Sequence, residues 1–249
     1  PEMLLSDLSS LALELAVWGV KDPETLSWLD PPPAAPWAAA RSLLADLGAV
    51  DAAGAATPLG RSMARLPLHP RLARMFLRAA EIGYPRLGAD LAALLSERDI
   101  FRRGASFSGG RDRDLTVGVR IEALRRWRAG KEPAGEADPS ALRAVERTSQ
   151  QIQRLRPEGC PAQGKEPADL IPRLLLRAFP DRVAKRREEG GDRFVLSGGR
   201  GVRASSSGRL GAGPFIVAVR VDAGEKAEGG IHSGEPVGED LLRRELGER

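Results

Sequence analysis

The sequence predicts a mainly α chain with a smaller C-terminal β region, and three observations carry that prediction. Apolar residues recur at helical spacing in one segment after another as far as about Leu155. Beyond Phe194 the period falls to two, with Phe215, Val217, Val219 and Val221 alternating with other residues between Gly- and Ser-rich turns. Between these regimes, residues 157–168 are rich in Pro and Gly and read as a linker.

Leu4, Leu8, Leu11, Leu15 and Trp18 lie on one helical stripe, which Gly19 ends. Trp28-Leu29-Asp30 leads into Pro31-Pro32-Pro33, a rigid extended segment. Ala40, Leu43, Leu44 and Leu47 mark a second helix over 36–47, closed by Gly48. Ala49-Val50 begins a short strand-like piece, interrupted by Asp51 to Gly54. Thr57-Pro58 then starts a third helix. The threonine hydroxyl can accept from an orphan amide of the first turn, and proline there has no amide to leave unpaired. Three helices with a small hairpin between the second and third read as a winged-helix domain, residues 1–68.

The third helix cannot run far, because Pro67 and Pro70 bracket Leu68-His69 and push the residues before them towards extended geometry. Pro70 opens the next helix, with Leu72, Met75, Phe76 and Ala79 on one face. Pro67, His69 and Pro70 thus make a stiff elbow suited to a domain joint. Residues 69–168 read as a helical bundle. One stripe runs through Leu87, Leu91, Leu94 and Leu95, and another through Leu115, Val119, Ala123 and Trp127. Asp138-Pro139 caps a further helix through Leu142, Val145, Ser149 and Ile152. Residues 169–249 form a third region: a helix after Asp169 with Leu174, Leu175 and Ala178 inward, then the β-strands, then a short helix over Leu241 to Leu246.

Composition excludes several function classes. The 249 residues allow two or three small domains, and 42% apolar residues can fill ordinary cores. Aromatics are only 4%, so extensive base stacking is not expected. A net charge of +4 leans mildly towards polyanions. Cys160 is the single cysteine, which rules out an intrachain disulfide and fits a reducing, cytoplasmic setting. No run approaches the roughly 18 apolar residues of a membrane span, so no membrane partner is expected. The first residue, Pro1, suggests a piece of a longer polypeptide.

No catalytic or metal centre is expected. Residues 159–166, GCPAQGKE, imitate a phosphate-binding loop, but Glu166 stands where a magnesium-holding hydroxyl belongs. Pro161 also removes an amide from the cradle, and the loop follows a helix rather than a strand. His69 and His232, the only histidines, give no zinc spacing with Cys160. No serine sits in a G-x-S-x-G elbow. The Gly-Arg pieces near Gly109 and Gly199 read as turns.

Charge is the remaining signal. From Glu97 to Arg128 nine arginines face five carboxylates, and from Arg173 to Arg203 nine basic residues meet four acidic ones. The stretch from Asp222 to Arg249 reverses this, with eight acids against four bases. The candidate phosphate-contacting residues are Arg98, Arg102, Arg103, Arg111, Arg113, Arg120 and Arg125, since guanidinium groups can bridge phosphate oxygens bidentately. The alternative is solvated faces and internal ion pairs, such as Glu97 or Asp99 with Arg102 or Arg103.

TPLGRSMARLPLHPRLARM (57–75), WLDPPP (28–33) and LLSERD (94–99) together resemble the segment that follows the motor domains of DEAH-box RNA helicases, and of the bacterial HrpB-type subgroup above all. LLLRAFPDRVAKRR (174–187) and FVLSGGRGV (194–202) extend the resemblance over most of the chain. It implies that the bundle is a ratchet, or helicase-associated, domain, and that the β region is subgroup-specific, barrel-like and cut short at Arg249. It also gives Glu97-Arg98-Asp99 a domain-domain or RNA-facing role, against a helix-end ion-pair network. The implied partners are single-stranded RNA and two RecA-like motor domains preceding Pro1; ATP and magnesium belong to those domains and no cofactor to this chain. The expected function is a non-catalytic helicase accessory region that holds nucleic acid and couples motor movement. A protein-interaction scaffold is the alternative. A free-standing winged-helix DNA binder fits less well, because the 36–47 helix carries only Arg41.

Overall fold

The computed structural model describes residues 7–101, 116–132, 137–204, 209–222 and 228–247. Helices α1 (Ser9–Val17), α2 (Ala34–Asp46) and α3 (Pro58–Ala64) come first, with an antiparallel bridge Val50–Ala56 between α2 and α3. The Thr57 hydroxyl accepts from the Gly60 amide at 3.0 Å and donates to the Gly48 carbonyl at 2.8 Å, which fixes both the helix start and the hairpin. A Cβ at Gly60 would lie 2.0 Å from the Ala49 carbonyl oxygen, so only glycine lets α3 press against the hairpin.

The elbow is held from both sides. His69 is the N-cap of α4 (Pro70–Glu81), its Nδ1 accepting from the Arg71 amide at 3.2 Å. Its Nε2 lies 3.1 Å from Ser9 Oγ and 3.2 Å from an Asp7 carboxylate oxygen. The hydrogen bond from His69 holds the Asp7 carboxyl well below the usual carboxylate range. One imidazole thus pins the start of α1 to the start of α4.

Helices α5 (Pro85–Ser96), α6 (Val117–Arg128) and α7 (Pro139–Arg154) complete the bundle. Gly88 would carry a Cβ 2.5 Å from Ala79 Cβ, which sets the close approach of α4 and α5. Inside the bundle Arg128 grips Asp90 with two bonds of 2.7 and 2.6 Å and reaches Glu146 at 2.6 Å, and Ser149 donates to the same Asp90 carboxylate. Helix α6 departs from the predicted stripe. Its buried residues are Val117, Arg120, Ile121, Ala123 and Leu124, while Val119 and Trp127 are half-buried. An arginine on the inner face disguised the apolar stripe, and Leu115 lies outside the described residues.

The 157–168 segment is a strap rather than a loose linker. Tyr84 Oη donates to the Lys165 carbonyl at 2.7 Å, and Arg125 pairs with Glu166 at 2.6 Å. Helix α8 (Leu170–Ala178) follows, then strands β1 (Val183–Arg186), β2 (Arg193–Leu196), β3 (Gly201–Arg203), β4 (Phe215–Val221) and β5 (Gly229–Val237), and finally α9 (Glu239–Leu246). The strands close into a barrel in the order β1-β2-β3-β5-β4, antiparallel throughout except for the parallel pairing of β3 with β5. This is a Greek-key barrel of the OB type. The expected partial β region is therefore a closed ring within the described residues, filled by Ala184, Phe194, Val202, Ile216, Ala218 and Ile231.

Val217 and Val219 of β4 turn away from that interior and join the helical core, where α8 packs on β4 and β5. The strand is buried on both faces. Arg71 fastens the same junction: it grips Asp181 with bonds of 2.5 and 2.8 Å and donates to the Ala178 carbonyl at 3.0 Å. The Gly118 amide donates to Glu235 at 3.0 Å, and Arg220 reaches the Glu97 carbonyl at 3.2 Å. Glu245 of α9 sits between Arg173 and Arg177 of α8. No described helix is long and apolar enough to cross a membrane.

Candidate nucleic-acid interface

The predicted arginines meet different fates. Arg98, exposed, pairs with Asp138 at 3.0 Å and with the Ser140 hydroxyl. Asp138 also caps α7, accepting from the Ser140 amide at 2.8 Å. Hydrogen bonds from Ser140, helped by the Arg98 charge, pull the Asp138 carboxyl down to about 2. Arg120 is a correction. Its side chain is only 5% exposed, bonded to Asp99 at 3.2 and 2.7 Å and to the Thr116 carbonyl at 2.8 Å, and it lies 5.6 Å from the Phe101 ring centroid. Every donor face of that guanidinium is turned into the protein. Arg125 is tied to the strap at Glu166. Arg102, Arg103, Arg111 and Arg113 lie outside the described residues. The LSERD segment thus contains an ion-pair network, Arg98 with Asp138 and Asp99 with Arg120.

A second basic surface lies on the barrel. Along β1 to β3 the residues alternate, so Ala184, Phe194 and Val202 fill the interior while Lys185, Arg193 and Arg203 stand outside. Arg193 is directly opposite Arg203 in the β2–β3 register, and the Arg187 amide donates to the Arg193 carbonyl, which brings a fourth cation alongside. Glu228 lies between two of them, 2.6 Å from Arg203 and 3.6 Å from Arg193, and Asp192 is 3.4 Å from Arg203. The hydrogen bond from Arg203 lowers the Glu228 carboxyl, and the same bond raises Arg203. Lys185 and Arg187 are exposed. Arg186 points the other way, stacking 4.7 Å from the Phe194 ring centroid and donating to the Gly213 carbonyl at 3.1 Å.

Charge counting had flagged the Arg173–Arg203 stretch without naming residues in it. The signal that separates Lys185 and Arg187 from Arg186 is the strand period, since successive side chains face opposite sides. Among the described residues no group of three or more His, Cys, Asp or Glu side chains is placed to hold a metal ion.

Comparison with known proteins decides the family. Residues 40–68 match the helicase-associated (HA2) winged-helix domain. The ATP-dependent RNA helicase HrpB of Escherichia coli K12 is 34% identical over 218 residues, which is 88% of this chain. A crystal structure of the E. coli DExH-box NTPase HrpB superposes over 100% of the chain, with a TM-score of 0.74 at 28% identity. The chain belongs with the C-terminal regions of HrpB-type DEAH helicases.

A crystal structure of the E. coli DEAH/RHA helicase HrpB covers 96% of the chain, with a TM-score of 0.71 at 30% identity. The pre-mRNA-splicing factor ATP-dependent RNA helicase prp22 of Schizosaccharomyces pombe is 36% identical over 103 residues, only 41% of the chain. The HrpB likeness therefore reaches well beyond the part shared with that relative. The chain spans 23% of the length of the E. coli HrpB sequence and 27% of the first HrpB structure.

Proposed function

We propose that this HrpB-type region holds single-stranded RNA by its phosphate backbone and passes motor-domain movement to it, without catalysis of its own. The observation that carries this reading is the outer face of β1 to β3, where Lys185, Arg187, Arg193 and Arg203 stand together. OB-type barrels take single strands across this part of the sheet, and guanidinium groups bind phosphate bidentately. With few aromatic residues in the chain, contact is to backbone rather than to stacked bases, as a strand sliding without sequence choice requires.

Coupling rests on the joints. Trp18 and Leu29, 74% and 99% exposed, give the winged-helix segment an apolar surface for another protein surface. The RecA-like motor domains of the parent helicase, with their ATP and magnesium, are the partner on this reading. His69 and Arg71 then carry their movement through α4 to the barrel.

The test is fluorescence anisotropy of labelled oligo(U) with this chain. Binding at about 50 mM salt that weakens steeply as salt rises is expected. The double variant K185Q/R187Q should bind about tenfold more weakly. No binding at low salt, or unchanged affinity of the double variant, overturns the assignment to this face. Unchanged winged-helix behaviour with no RNA affinity leaves the scaffold reading in its place.

A further inference from the structure

We infer that the outer face of α7 is a second binding site for the RNA phosphate backbone, formed by Arg143, Arg147, Gln150 and Arg154. The inference rests on the reading that this region binds RNA. These four residues, spaced by four, three and four, fall on one narrow stripe of a 16-residue helix. All four are exposed, while Leu142, Val145, Ser149 and Ile152 bury the opposite stripe.

Charge neutralisation separates this stripe from three of the four arginines of α6; the fourth, Arg126, donates to the Glu132 carbonyl. Arg120, Arg125 and Arg128 of α6 each pair with a carboxylate. The side chains of Arg143, Arg147 and Arg154 make no ion pair or hydrogen bond with any described residue. Glu146, the one carboxylate within α7, is turned aside to Arg128 at 2.6 Å, and it also accepts from the Gln150 amide at 2.7 Å. A face built only for solubility interleaves opposite charges at this spacing. Here Arg143 and Arg147 are like charges four residues apart, an arrangement that destabilises an isolated helix until an anion joins them.

The shape supports the same ligand. At the end of the stripe Gln150, Gln153, Arg154 and Arg156 line an open depression of about 440 Å³, with exposed Leu155 beside it. Its polar walls offer donors only from guanidinium and amide groups, the chemistry that takes phosphate oxygens. Arg143 and Arg147 are about 6 Å apart along the axis and Arg147 and Arg154 about 10 Å, so a strand lying along α7 meets a cation at each of several phosphates. No aromatic side chain lies on the stripe, so the contact is independent of base sequence.

The experiment compares oligo(U) binding by the unaltered chain, by R143Q/R147Q/R154Q and by K185Q/R187Q, with circular dichroism to check helix content. The triple variant is expected to bind about tenfold more weakly and to lower the slope of log affinity against log salt by about 2. Combining the two sets should weaken binding beyond either alone. Binding by the unaltered chain that the triple variant leaves unchanged overturns the α7 site and spares the proposed function; no binding by the unaltered chain overturns both. Should the triple variant lose helix content, R143Q and R154Q are read singly, and a few-fold weakening of each is expected. A duplex RNA arm assigns the strand form: a loss confined to oligo(U) means a single strand, and an equal loss means either form, both in support. Preferential binding of polyglutamate over oligo(U) of equal charge, lost in the triple variant, points to an acidic protein and overturns the site.

Discussion

Replacing Arg120 by methionine leaves the Asp99 carboxylate without its fork. We expect a loss of about 2–3 kcal/mol in urea unfolding, somewhat less than for a fully buried pair because Asp99 is partly exposed. The RNA affinity of the folded variant should stay as it was; a drop in affinity at full stability would return Arg120 to the binding surface. Arg120 and Arg143 are the same residue type on neighbouring helices, and only the three-dimensional structure separates a strut from a free cation. Asp99 lies 21 residues from Arg120, and Glu166 lies 41 from Arg125. Pairing at such separations leaves no mark in a local charge count. His69 was legible, because its place between two prolines fixes it at a helix start whatever it touches.

At the scale of elements, Gly88 marks a close approach of α5 to α4 that leaves no room for a side chain. Gly88→Ala would press a methyl into Ala79, and forcing α4 and α5 apart should cost about 1–3 kcal/mol, read as a lower urea midpoint. An unchanged midpoint would show that the pair can spread freely. Helix starts were readable because capping is local: Thr57-Pro58, His69-Pro70 and Asp138-Pro139 all begin helices. Strand β5 was not, since Gly229, Gly230, Gly234 and Pro236 hide its pattern. There the constraint is tertiary, for a Cβ at Gly234 would lie 2.6 Å from the Val217 carbonyl oxygen across the sheet. Strand β4 showed its alternation yet concealed its meaning, because Ile216 and Ala218 fill the barrel while Val217 and Val219 belong to the helical core.

Across the whole molecule, the Arg71–Asp181 pair fastens bundle to barrel and makes that junction sensitive to acid. Burial pushes the Asp181 carboxyl up, but the Arg71 guanidinium outweighs it and the group stays below the usual range. A carboxylate depressed in the folded state adds stability above its unfolded value of about 4, and that stability is lost as pH falls further. Asp181→Asn should therefore cost about 1 kcal/mol at neutral pH, a modest figure because solvent screens the partly exposed pair. Urea midpoints of the variant and the unaltered chain should converge towards pH 3; a gap that stays constant with pH would rule the pair out as the cause. Fold class and family segments were visible in the sequence, whereas barrel closure was not, since it depends on pairing β3 with β5 around an intervening strand. That parallel seam has a consequence in time. The helices before residue 170 can gather through near neighbours while synthesis continues, but the ring stays open until Gly229 and its successors leave the ribosome. During that interval Phe194 and Ile216 lack their final cover, so the emerging β region is exposed to aggregation until β5 docks.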